Sequence, residues 1–136
     1  MPKSNLILVA DDDRDFLEIL SAKLLAAGYE IAEAKDGQEA IDKAKSLIPS
    51  LIIMDIKMPG INGTEAVLEL RADPRMKDTK IVFFSNLVYP WPGIKQENEQ
   101  FAKEIGAVTF LKKSDDLSTI IAKIQELMQQ NSSPAA

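Results

Sequence analysis

Asp11, Asp12, Asp55, Ser85 and Lys113 share one property in this 136-residue chain: each stands where a short apolar run ends. Residues 6–10 (LILVA) stop on Asp11-Asp12-Asp13, and residues 51–54 (LIIM) stop on Asp55. Residues 81–84 (IVFF) end on Ser85-Asn86, and residues 107–111 (AVTFL) lead into Lys112-Lys113. Runs of this length suit buried parallel strands and are too short for helices. In open α/β sheets, ligands bind in the crevice outside the carboxyl ends of the strands. Carboxylates that meet there repel one another unless a cation sits among them. Oxygen-only donors with room for water suit Mg²⁺. A carboxylate beside that ion can attack phosphorus, and a lysine and a hydroxyl can then hold the phosphoryl oxygens.

The totals narrow the chemistry further. The chain has no histidine and no cysteine. The usual neutral-pH general base, the thiolate nucleophile and the zinc-thiolate site are therefore all excluded. A formal net charge of -5 argues against direct nucleic-acid binding. No stretch is apolar for long enough to span a membrane, and the first five residues do not make a signal peptide, so the expected location is cytoplasmic. The length fits one domain with its own core.

The elements that must position these groups alternate along the chain. After Asp13, which is read as a helix cap and left out of the metal site, Phe16, Leu17, Leu20, Leu24 and Ala27 share one helix face ending at Gly28. Residues 29–34 read as a strand. Asp36 and Glu39 have capping-box spacing before a helix that Pro49 ends. Pro59-Gly60 and Asn62-Gly63 are turn signals after Asp55, and a helix from about Thr64 runs until Asp73-Pro74. Residues 94–105 read as a helix closed by Gly106, and residues 107–111 as the last strand. A final helix starts at Ser114-Asp115-Asp116 and carries an apolar stripe from Leu117 to Met128. Strand then helix, repeated about five times with short connections, predicts one parallel sheet covered on both faces. Residues 1–5 are assigned to an N-terminal extension, 6–130 to the domain, and 131–136 to a disordered tail.

Together, ILVADDD, LIIMDIKMPGING, VFFSN and GAVTFLKKS resemble the receiver domain of bacterial two-component response regulators, from about Leu6 to Met128. The resemblance implies a flavodoxin-like (βα)5 fold with strand order 2-1-3-4-5. It implies that Asp55 is the phospho-acceptor and that Asp11, Asp12 and Asp55 itself hold Mg²⁺ (or Mn²⁺), Asp12 directly and Asp11 mostly through water. The backbone carbonyl of Lys57 would be a further ligand. Ser85 matches the switch hydroxyl and Phe110 the switch aromatic, which as a residue of a buried strand also reads as plain core. Lys113, seven places beyond Gly106, matches the family's lysine, with Lys112 left to solvent. The implied partners are a histidine kinase or phosphotransfer protein and an output protein. The output surface would be the fourth helix, fifth strand and fifth helix. Though a piece of a larger regulator would read the same, the expected form is a stand-alone signalling protein, monomeric or dimerising on phosphorylation. It would catalyse only its own phosphorylation and dephosphorylation and so is not expected to be an enzyme.

This chain departs from the family pattern in three places. Ser114 stands where a proline, commonly after a cis bond, is usual. Asn86 is bulkier than the usual small residue, which implies hindered water and slow loss of phosphate. Residues 86–94 form a longer loop holding Tyr89-Pro90-Trp91-Pro92. Two readings of it stand, a surface loop that tucks Trp91 in, or a partner contact or lid over Asp55.

Other functions fit less well. An aspartate-nucleophile phosphatase of the haloacid dehalogenase type needs an acid two residues after the nucleophile, where Lys57 stands. A flavodoxin-like cofactor binder needs a phosphate-cradling loop after the first strand, where three aspartates would repel phosphate. A degenerate receiver acting as a phosphorylation-independent docking domain would not need the full set of acids, hydroxyl and lysine.

Overall fold

The computed structural model describes residues 5–85 and 102–131. The chain runs β1 (Leu6–Ala10), α1 (Arg14–Ala26), β2 (Glu30–Ala34), α2 (Gly37–Leu47), β3 (Leu51–Asp55) and α3 (Gly63–Arg71). A 3₁₀ turn over Pro74–Met76 and β4 (Lys80–Ser85) follow. Residues 102–104 are helical and are labelled α4; then come β5 (Thr109–Lys112) and α5 (Leu117–Asn131). All strand pairs are parallel, in the expected order β2-β1-β3-β4-β5.

Every residue of β3 is buried, and β1 and β4 are buried except at their first residues. These are the runs that lack polar alternation, as strands covered on both faces should. Side chains alternate between two cores. Ile7, Val9, Ile53, Val82 and Phe84 meet the apolar stripes of α1 and α5. Leu8, Ile52, Met54, Ile81 and Phe83 meet α2, α3 and Ala102 of α4. The outer strands are different in kind. Glu30 and Glu33 of β2 and Lys112 of β5 are exposed, and β5 is only four residues long.

The helix ends follow from local chemistry. Asp13 caps α1, its carboxylate accepting from the Phe16 N–H at 3.2 Å. Asp36 caps α2 in the same way through the Glu39 N–H. The return bond expected there goes elsewhere: with Asp36 fully extended (φ -153°, ψ 171°), Glu39 accepts from the Lys35 N–H. The complete capping box lies instead at Asn62 and Glu65, opening α3. Ile48, the last residue before Pro49, ends α2 in the left-handed region at φ 45°; the proline accounts for the end of the right-handed helix there but not for the positive φ.

Several boundaries differ from the sequence reading. The last strand starts at Thr109 rather than Ala107, because the Ala107 N–H is committed to the Ala102 carbonyl at the end of α4, around Gly106 at φ 115°. The last helix starts at Leu117, directly after the Ser114-Asp115-Asp116 stretch read as its start: Lys112 to Asp115 form a hydrogen-bonded turn, and the Asp116 carbonyl accepts from the Ile120 N–H. Asn131, placed in the tail, is the last residue of α5. Asn5, placed in the extension, is tied to the fold at both ends: its side chain donates to the Gly28 carbonyl and its carbonyl accepts from Glu30. Among the described residues no helix is long and apolar enough to cross a membrane.

Candidate functional site

The carboxyl ends of β1, β3 and β5 bring Asp11, Asp12, Asp55 and Lys113 together. Asp11 continues the β1–β2 ladder through its N–H to the Ala34 carbonyl, which fixes where its side chain starts. One oxygen, Oδ1, accepts from the Asp13 N–H at 2.9 Å. The other, Oδ2, lies 2.6 Å from Lys113 Nζ and receives no aligned hydrogen bond. Asp12, the next residue, faces solvent. Asp55 closes β3 with its side chain buried, its Oδ2 3.5 Å from the same ammonium. One oxygen from each of Asp11, Asp12 and Asp55 falls within 4.8 Å of the others.

Three carboxylates thus face one lysine. Burial, and next the negative charge of Asp11, raise the Asp55 carboxyl to about 7, with Lys113 only partly opposing them. The set lacks positive charge and offers hard oxygen donors on a partly open rim, and both properties fit a divalent cation of the Mg²⁺ type. The residues present therefore suit the ion expected from the sequence.

The backbone around Asp55 is held tightly. The Ile56 N–H donates to the Phe84 carbonyl, and the Gly63 N–H donates to the Ile56 carbonyl at 2.7 Å. A Cβ on Gly63 would lie 2.2 Å from the Asp55 carbonyl oxygen, so only glycine allows α3 to start there. Gly37 plays the same part on the other side of the loop, since a Cβ there would lie 2.0 Å from the Ile61 carbonyl oxygen. Lys57 lies in this loop with its side chain in solvent.

Ser85 is buried at the end of β4, and its carbonyl accepts from the Lys113 N–H. This bond carries Lys113 to the rim, while Lys112 points into solvent. Lys113 reaches the acids with no cis peptide bond in the turn that contains Ser114. Phe110 is partly buried, packed on the core shared with α2 and α3. Asn86, Tyr89 and Trp91 lie outside the described residues.

One participant escaped the sequence reading. Phe16 was read as one residue of a helix face. Its ring lies 4.9 Å from Lys113 Nζ and meets Phe84 edge to face at 5.3 Å. An aromatic in the first turn after the acids was the available signal, but the lysine it meets comes from the far end of the chain.

A family model described as the response regulator receiver domain matches residues 7–125. The chain is 27% identical over 129 residues to the alkaline phosphatase synthesis transcriptional regulatory protein PhoP of Bacillus subtilis, covering 92% of this chain and 49% of PhoP. It therefore spans about half the length of that relative. Among solved structures, the chemotaxis response regulator CheY4 of Vibrio cholerae is 30% identical with a TM-score of 0.79, covering 93% of this chain and 99% of CheY4. The response regulator TrrA of Thermotoga maritima, solved in complex with Mg²⁺-BeF, is 33% identical with a TM-score of 0.72. That match covers 90% of this chain and 97% of TrrA.

Proposed function

The chain belongs to the response regulator receiver domain family, and on that premise we propose that it is a signalling module switched by phosphorylation of Asp55. The observation that carries this reading is the buried Asp55 carboxylate, 3.5 Å from Lys113 and within 4.8 Å of Asp11 and Asp12 oxygens. The donor is a phosphohistidine on a histidine kinase or phosphotransfer protein, since the chain has no histidine of its own. Asp55 supplies the attacking oxygen. Asp11, Asp12 and Asp55, with the Lys57 carbonyl, would hold Mg²⁺, whose charge would offset that of the phosphoryl oxygens. Lys113 neutralises a further phosphoryl oxygen, and Ser85 turns toward the group once it is bound. Phe110 follows the vacated space, which changes the surface formed by α4, β5 and α5 for an output partner. The module acts in the cytoplasm and turns over no external substrate beyond the phosphoryl donor.

The test is intact mass after incubation with Mg²⁺ and acetyl phosphate, beside Asp55→Asn. The expected result is gain of one phosphoryl group by the parent chain and none by the variant, with no gain when Mg²⁺ is chelated. Gain by both would move the acceptor elsewhere. No gain by the parent from acetyl phosphate or a phosphohistidine donor would leave a docking domain.

A further inference from the structure

We infer that Phe16 is a positioning residue for phosphoryl transfer, holding the Lys113 ammonium in place between Asp11 and Asp55 through the face of its ring. The inference rests on the reading of Asp55 as phospho-acceptor. Among the described residues, three contacts define where Lys113 Nζ sits: Asp11 Oδ2 at 2.6 Å, Asp55 Oδ2 at 3.5 Å and the Phe16 ring centroid at 4.9 Å. The two carboxylates pull the ammonium toward the acids, and the ring attracts it through its quadrupole. The side chain is left 5% exposed.

A ring suits this place better than another acid would. It holds a cation without taking up any of the three N–H donors of the ammonium, so all three remain for carboxylate and phosphoryl oxygens. Nor does it add negative charge to a site that already has an excess. When the Asp55 oxygen bonds to phosphorus, the phosphorus–oxygen bond to acetate breaks and acetate leaves with that electron pair. Negative charge then sits on the phosphoryl oxygens, farther out than the carboxylate was. Lys113 must follow it, and a ring face lets the ammonium slide where a directed hydrogen bond would resist.

The ring itself is fixed from two sides. Its backbone N–H is bound by the Asp13 carboxylate, and the Asp13 N–H in turn binds Asp11. Its edge-to-face partner Phe84 is the ladder neighbour of Asp55. The lysine, one metal-site acid and the acceptor strand are thus referred to a single helical turn.

The experiment compares Phe16→Met, which keeps the apolar volume, with Phe16→Tyr, which keeps the ring. Phosphoryl uptake is followed by intact mass over a range of acetyl phosphate concentrations, and Mg²⁺ affinity is measured separately by calorimetry. The expected result for Phe16→Met is a maximal rate lowered about fivefold or more, within the range of such contacts, with half-saturation and Mg²⁺ affinity near the parent's. Phe16→Tyr should restore the rate. In the parent, the Lys113 side-chain protons next to Nζ should show ring-current shifts by NMR, a readout that does not depend on the variants folding. A parent-like rate in Phe16→Met, an equal loss in both variants, or unshifted Lys113 protons would each overturn the inference while the Asp55 reading stands. A parent that takes up no phosphoryl group from either acetyl phosphate or a phosphohistidine donor would overturn both.

Discussion

At the scale of single residues, the Asp55 carboxyl at about 7 ties the fold to pH. An unfolded aspartate titrates near 4. Between roughly pH 4 and 7 the folded chain therefore holds a proton that the unfolded chain has lost, and stability falls as pH rises through that window. Above it the cost of a buried, crowded charge is fully present; below pH 4 it is absent. Without metal, Asp55→Asn should be more stable than the parent at pH 8 by about 1–3 kcal/mol and nearly equal to it at pH 4, as read by urea unfolding in EDTA. Mg²⁺ binding should strengthen as pH rises toward 7, because the ion and the proton compete for one carboxylate. The acids and Lys113 were legible in the sequence because each follows an apolar run, and a strand that ends abruptly on a charge says where that charge must sit. The contact of Phe16 with Lys113 was not, since it depends on how α1 is rotated against β4 and β5. No local pattern encodes that angle.

Among the elements, the loop from Ile56 to Asn62 is held between the first residues of α2 and α3. Gly37→Ala places a methyl 2.0 Å from the Ile61 carbonyl oxygen, so the loop or the helix must move. The expected cost is about 1–3 kcal/mol, seen as a lower urea midpoint, with a slower uptake of phosphate because the same loop carries Lys57. Gly60→Ala meets nothing within 4 Å but must hold φ +75°. It should cost about 1–2 kcal/mol from backbone strain alone and leave Gly37 and α2 undisturbed. Strand and helix identities were readable because apolar runs and helical periodicity are local. Boundaries were less so. Asp36 and Glu39 have the spacing of a capping box, yet the extended cap redirects Glu39 to the Lys35 N–H, and the complete box opens α3. Ala107 looked like strand and serves the end of α4 instead, because its N–H could satisfy only one of two claims.

For the molecule as a whole, strand order is the level least written in any one segment. Alternation predicts a parallel sheet, but only the four motifs taken together implied the order that places β1 and β3 side by side. Among the described residues, that order also gives β2 and β5 one strand neighbour each, and their composition bears on what the protein does when crowded. Unpaired strand edges are templates for other chains. On β2 the exposed Glu30 and Glu33 would face their own counterparts if two copies joined along that edge, and β5 offers a span of only four residues. Replacing Glu30 and Glu33 with valine should leave the sheet intact by circular dichroism and raise light scattering at high concentration; scattering equal to the parent's would mean that something else guards that side. A signalling protein has to accumulate and meet its partners without sticking to itself. Here the outer strand carries carboxylates of its own, Glu30 and Glu33, and Glu33 shares a cavity with Asp11 and Asp12, so charge placed against self-association would also bear on the rim of the acidic site.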